Sequence, residues 1–152
     1  MTTNENARGS TSPFLGLDHL VFLTRDIDSS IAYWQQSLVL HTRLEHTEHG
    51  VAQAFFTLPD RTFIELVEPL NDESSVAQLI KEKGEGFYVL AMQVADLESA
   101  QQVLKEQGAT LVGEGSDRVF VLPGAPAEPM IQLWPKDRPH RWRDGDSGGS
   151  ST

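Results

Sequence analysis

Glu65 stands between Phe63 and Val67 in RTFIELVEP, and His19 stands in the apolar segment LDHLVFL. A carboxylate and an imidazole can pass a proton near neutral pH or act as ligands of a divalent cation. A carboxylate among apolar neighbours needs a cation, a donor or a raised pKa to be tolerated there. Gln53 in EHGVAQ and Gln132 in PMIQLW bring amides, which donate and accept hydrogen bonds but are not bases near neutral pH. His41, His46 and His49 in LHTRLEHTEHG fall on a predicted strand and turn. Their spacings match no recurrent zinc pattern, so they read as exposed histidines, with His49 in reach of a cavity mouth. The chain has no cysteine, so it offers neither a disulfide framework nor thiolate chemistry.

The elements that must position these groups come in two copies. A shift of 70 positions (89 − 19 = 70) carries His19 onto Val89, Leu20 onto Leu90 and Asp26 onto Asp96. The first copy opens with the strand LDHLVFL. A helix follows, capped by Asp26 or Asp28, with Ile27, Ile31, Trp34 and Leu38 at helical spacing. Three predicted strands come next, HTRLEHTE, VAQAFFTLP and RTFIELVEP. The second copy repeats this with FYVLAMQV, a helix capped by Asp96 and ended at Gly108, and the strands ATLVGE, RVFVLP and PMIQLWP. Between them NDESSVAQLIKEKGEG reads as a helix capped near Asp72 or Ser74 and stopped at Gly84. The fold class is therefore α+β, two βαβββ modules forming a cupped mixed sheet. Module one spans 16–69, the linking helix 70–84 and module two 86–135, within one domain of 14–136. Residues 1–13 read as a disordered tail and 137–152 as a flexible Gly/Ser-rich one, with HRWR at His140–Arg143 solvated.

Side chains alternate across a strand, so counting in twos sorts the faces. Leu20, Phe22, Ala54, Phe56, Ile64, Leu66, Leu90, Met92, Ile131 and Leu133 form one apolar set, placed under the helices. The opposite set holds Phe55, Phe63, Phe87, Val89, Met130 and Trp134 around the polar centres His19, Gln53, Glu65 and Gln132. An apolar wall with a few convergent polar groups is the composition of a small-molecule cavity. Tyr88, next to Val89, is expected to face away from it. The net charge of −10 excludes a phosphate-backbone binder of the usual basic kind. No apolar run is long enough to span a bilayer, and no secretory leader is seen at the N-terminus, so the expected location is cytoplasmic.

From Leu17 to Pro135 the chain resembles the vicinal oxygen chelate superfamily, the glyoxalase and bleomycin-resistance fold. The segments LDHLVFLTRDIDSSIAYW, EPLNDESSVAQLIKEKGEG and DLESAQQVLKEQGATL are similar to methylmalonyl-CoA epimerases. That resemblance implies a cupped sheet around a divalent metal whose four ligand positions are His19, Glu65, Val89 and Gln132. It also places Gln53 where a catalytic glutamate of the epimerases stands, and it makes His19 and Glu65 converge. Three chemistry-bearing positions are thus changed. Valine has no lone pair, and neither amide can remove a proton.

The expectation is a metal-poor enzyme using His19 and Glu65 for acid–base isomerase, lyase or cyclase-like chemistry on a small carbonyl or acyl-thioester compound, not a standard epimerase. Gln53, Phe55, Phe63, Phe87, Val89, Met130, Gln132 and Trp134 would line its substrate site, with Tyr88 a further donor. One alternative is a non-catalytic protein that sequesters a small molecule. Another is a divalent-metal enzyme with a weak site on His19, Glu65 and Gln132. A homodimer is also consistent with the fold.

Overall fold

A computed structural model of the protein describes residues 11–48 and 50–140, with backbone alone at 42–44 and 48. Expectations for His49 and for the tails at 1–10 and 141–152 lie outside the described residues. The chain runs β1 (Phe14–Leu23), α1 (Ile27–Ala32) with a π-helical turn (Tyr33–Ser37), β2 (Thr42–Glu48), β3 (Val51–Thr57) and β4 (Phe63–Pro69). The linking helix α2 (Ser75–Lys83) follows, then β5 (Gly86–Val94), α3 (Leu97–Glu106), β6 (Leu111–Val112), β7 (Val119–Val121) and β8 (Met130–Pro135). The described helices include none long and apolar enough to cross a membrane.

The eight strands of the described residues form one sheet in the order β2-β3-β4-β1-β5-β8-β7-β6. The repeat is visible in that order. β1 pairs in parallel with β4 and β5 in parallel with β8, and the two halves join along an antiparallel β1–β5 seam. Polar side chains start the helices as the sequence indicates: Asp26 accepts from the Ser29 amide, Asp96 from Ser99 and Ser74 from Ala77. Gly84 and Gly108 end α2 and α3 with φ of 85° and 92°, a region that costs glycine nothing.

One helix departs from the expected pattern. After Ala32 the coil widens, so the Leu38 amide bonds to the Tyr33 carbonyl five residues back. The wider turn rotates Leu38 off the buried stripe and leaves it exposed, while Ile27 and Ile31 stay in the core.

Beneath α1 lie Ala54, Phe56, Ile64 and Leu66, with Leu20, Phe22 and Trp34 packed against them. Val94, Ala100, Val119 and Leu133 form the equivalent core under α3. Fully burying a side chain such as Phe56, Leu66 or Leu133 contributes about 1.5–3 kcal/mol. The opposite face is partly covered from within the chain. Ile80 of α2, with Val76 and Leu79 beside it, packs on Val21, Leu23, Val67 and Val89. The linking helix thus covers the Val21, Leu23, Val67 and Val89 part of this face, with Glu65 and Gln53 on the strands beside it in register with Val21 and Val67.

Candidate functional site

Register shifts in the β1–β5 seam build the site. One falls between Leu17 and His19, at Asp18. Such a bulge bends the strand and re-aims a side chain, so Asp18 and His19 meet on one side instead of alternating. Asp18 Oδ2 lies 2.6 Å from His19 Nδ1 and 2.7 Å from His140 Nε2, and Gln93 Nε2 donates to Asp18 Oδ1 at 3.0 Å. Asp18 is wholly buried, His19 and His140 nearly so. His19 stacks on Phe63 at 4.2 Å between ring centroids, and His140 stacks on Trp134 at 4.0 Å. On its other nitrogen, His19 Nε2 is 3.7 Å from Glu65 Oε1, and Gln53 Nε2 donates to Glu65 Oε2 at 2.8 Å.

Burial alone would raise the Asp18 pKa, but hydrogen bonds from His140, His19 and Gln93 hold it far below the usual carboxylate range. An ionised carboxylate accepts and cannot donate, so both rings must point an N–H at Oδ2. His19 therefore carries its proton on Nδ1, and in the neutral ring the Nε2 lone pair faces Glu65. Glu65 moves the other way. Its burial raises the pKa above the ordinary value, and the nearby His19, the Gln53 hydrogen bond and Arg118 offset only part of that. The two carboxylates of the cluster are thus shifted in opposite directions, Asp18 down through its hydrogen bonds and Glu65 up through burial.

His19, Gln53, Glu65, Phe55, Phe63 and Trp134 come together as their alternation indicates, Phe55 touching Phe63 at 6.0 Å and Trp134 meeting His19 edge-on at 5.7 Å. Val89 and Met130 pack with the cluster under α2, and Gln132 sits half-buried in mid-β8, beside Ala91 and Phe120. Phe87 is a correction. The register shift between Val21 and Phe22 turns its ring onto Phe22, on the helix-bearing side, where it is half-exposed. The same shift puts Tyr88, expected to face away, in contact with the cluster that holds Val89. The reading of HRWR as solvated is corrected at its first residue, since His140 is buried against Asp18. His41 is exposed and His46 half-buried.

Asp18, Gln93 and His140 were missed by sequence reasoning. Gln93 was within reach, since counting in twos from Val89 and Ala91 arrives at it. A bulge hides Asp18, and no periodicity announces His140.

Val89, one of the four positions that the resemblance implies for metal ligands, is 2% exposed and packs in the apolar cluster with Val21 and Val67. Another donor set is present instead. Asp18, His19 and His140 offer one carboxylate oxygen and two ring nitrogens within 4.8 Å of one another, which could hold a metal ion. In the described packing these atoms serve one another as hydrogen-bond partners at 2.6 and 2.7 Å.

Residues 18–121 match the Glyoxalase/Bleomycin resistance protein/Dioxygenase superfamily. With the paired βαβββ halves joined along the β1–β5 seam, this settles the class: the chain belongs to that superfamily. Within it, the chain is similar to an ethylmalonyl-CoA/methylmalonyl-CoA epimerase of Cereibacter sphaeroides, 32% identical over 80% of this chain and 89% of that protein. The crystal structure of methylmalonyl-CoA epimerase from Mycobacterium tuberculosis is 28% identical, with a TM-score of 0.69 over 83% of this chain and 91% of that one. A methylmalonyl-CoA epimerase in complex with methylmalonyl-CoA and NH4+ shares the fold at a TM-score of 0.67 over 82% of this chain and 96% of that one, with 18% identity.

Proposed function

We propose that this protein is an isomerase- or lyase-type enzyme that moves a proton beside the carbonyl of a small acyl thioester or related carbonyl compound. The observation that carries the reading is the 3.7 Å approach of His19 Nε2 to Glu65 Oε1, with His19 Nδ1 fixed on Asp18 at 2.6 Å. A base oriented by a third group is the arrangement general acid–base catalysis requires. Glu65 takes the proton from the carbon next to the carbonyl. The C–H electron pair moves into a new carbon–carbon double bond, and charge develops on the carbonyl oxygen. Glu65 passes that proton to the Nε2 lone pair of the neutral His19 ring. The imidazolium so formed, its Nδ1 proton held by Asp18, stabilises the charge and returns the proton to carbon as the double bond collapses, leaving both groups as they began. Asp18, His19 and His140 would hold a divalent ion, which would supply Lewis-acid charge to the site in place of the ring proton on His19 Nδ1.

Epimerisation of the standard kind is not part of this proposal. Inverting a carbon needs a base on each face, and Gln53 is an amide. Methylmalonyl-CoA, a ligand of the superfamily relative above, is therefore a probe in D2O. Deuterium should enter next to the thioester carbonyl with configuration retained, and Glu65→Gln should slow this at least ~100-fold, the scale of a lost general base. Equal rates for the parent and Glu65→Gln would sink the reading. A second reading, sequestration of a small molecule, is favoured by the neutral residues at 53, 89 and 132. It predicts saturable quenching of Trp134 fluorescence, with the bound compound recovered unchanged.

A further inference from the structure

We infer that His140 is a positioning residue of the site, and that Pro135–His140 belongs to the working part of the molecule and is not a tail. The inference starts from the repeat. β4 and β8 are equivalent strands, and each ends in a proline, Pro69 and Pro135. The chain leaving β4 becomes α2 and seals one end of the cup with Ile80, Val76 and Leu79. The chain leaving β8 turns over the other end, and what it delivers is an imidazole.

That turn is built to hold a definite shape. The Lys136 amide bonds to the Val94 carbonyl at 2.8 Å, and the Arg138 amide closes on the Pro135 carbonyl at 2.9 Å. Trp134 Nε1 donates to the Arg138 carbonyl at 3.2 Å, and the Arg138 guanidinium lies 4.9 Å from the centre of the indole. His140 is parallel to the same indole within 10° and meets Phe63 edge-on at 4.8 Å. Three aromatic walls, Trp134, Phe63 and His19, surround its ring, and His140 is only 7% exposed. Burying an imidazole there without a partner would cost about 1–3 kcal/mol. Its partner is Asp18 Oδ2, the same oxygen that accepts from His19.

The consequence falls on His19. With His140 and Gln93 also donating to Asp18, the carboxylate stays fixed as an acceptor and His19 has one place for its Nδ1 proton. Nε2 is then held toward Glu65. Without the His140 N–H, water or a rotated Asp18 could take up the freed lone pair, and the His19 ring would gain a second orientation and tautomer. Partners that orient metal-ligating histidines change affinity or activity by about 10–100-fold when removed, and an effect of that order is expected for a partner that orients His19. The inference rests on the acid–base reading of His19 and Glu65, but its main readout does not.

The test uses the full chain labelled with 15N-histidine. Ring 15N shifts report the His19 tautomer, and exchange of its Nδ1 proton with solvent reports how firmly Asp18 holds it. His140→Phe keeps the stacking on Trp134 and removes the donor, and His140→Gln restores an N–H donor. In His140→Phe, proton exchange at His19 should speed at least ~10-fold and both tautomers should appear, while His140→Gln stays close to the parent. Deuterium incorporation into methylmalonyl-CoA should follow, with kcat lowered ~10–100-fold, KM little changed, and recovery in His140→Gln. Should the phenylalanine variant not fold, His140→Ala with and without added imidazole gives the same comparison, rescue by imidazole being the expected result. An unchanged His19 tautomer and exchange rate after loss of the donor overturns the inference. Equal disturbance in His140→Phe and His140→Gln overturns it too, because shape and not the donor would then be at work. Glu65→Gln, by contrast, tests the reaction and should leave the His19 tautomer as it is.

Discussion

Asp18→Asn separates an organising carboxylate from a merely buried one. Asp18 is 0% exposed and accepts from His19, His140 and Gln93. Asparagine has the same shape but turns one acceptor oxygen into an NH2 donor. Whichever way the amide sits, that NH2 faces either Gln93 Nε2 or the two ring N–H groups. Hydrogen bonds to a charged acceptor are worth about 1.5–3 kcal/mol and neutral ones about 0.5–1.5, so each surviving bond weakens by about 1 kcal/mol. A donor left buried without a partner adds about 1–3 kcal/mol. Against this stands the relief of no longer keeping an ion out of water, a cost of several kcal/mol that the native contacts must offset. The weakened bonds and the stranded donor total about 3–5 kcal/mol, and with part of that offset the expected loss stays above about 1 kcal/mol, or at least roughly 2–4 °C in Tm for a chain of this size. Urea titration and thermal melting at pH 7 measure it. A variant within about 1 kcal/mol of the parent would refute the reasoning, because the three bonds would then only cancel the desolvation of the charge.

Two further outcomes follow from the backbone and the caps. Gly113→Ala should destabilise the protein by about 1–3 kcal/mol, since φ is +86° and a Cβ would stand 1.9 Å from the Arg118 carbonyl oxygen; an unchanged urea midpoint would contradict this. Asp96 is held below the ordinary carboxylate value by the Ser99 hydroxyl and amide, so its contribution to stability is present above the unfolded value near 3.8 and lost as pH falls through the folded one. The Tm gap between the parent and Asp96→Asn should therefore be largest at neutral pH and close in acid. A gap independent of pH would count against the charged cap.

The fold was legible because it is written twice. Asp26 and Asp96 mark the same helix start, and the repeated strands alternate clearly enough that Ala54, Phe56, Ile64 and Leu66 fall together under α1. The site was legible only where the alternation is regular. His19, Gln53, Glu65, Phe63 and Trp134 obey it. Phe87 and Tyr88 break it beside a register shift, and Asp18 does so at another. A bulge inserts a residue into one partner of a strand pair, so it depends on how β1 and β5 meet and not on either segment read alone. The local signal for Asp18 pointed away from His19, and the seam reversed it.

Val89 explains why the two bulges and the last turn belong to one design. At the position that repeats His19, valine is 2% exposed and packs with Val21, Val67 and Ile80 of α2. The linking helix fills the space around it with apolar side chains. At His19 the Asp18 bulge instead brings a carboxylate to the ring, and the turn after Trp134 brings a second imidazole to that carboxylate. The imidazole of His140 acts on His19 through Asp18, at the ring nitrogen turned away from Glu65. What the seam and the last turn assemble is one imidazole oriented by Asp18 and set beside the Glu65 carboxylate, the pair on which the proposed one-sided proton transfer rests.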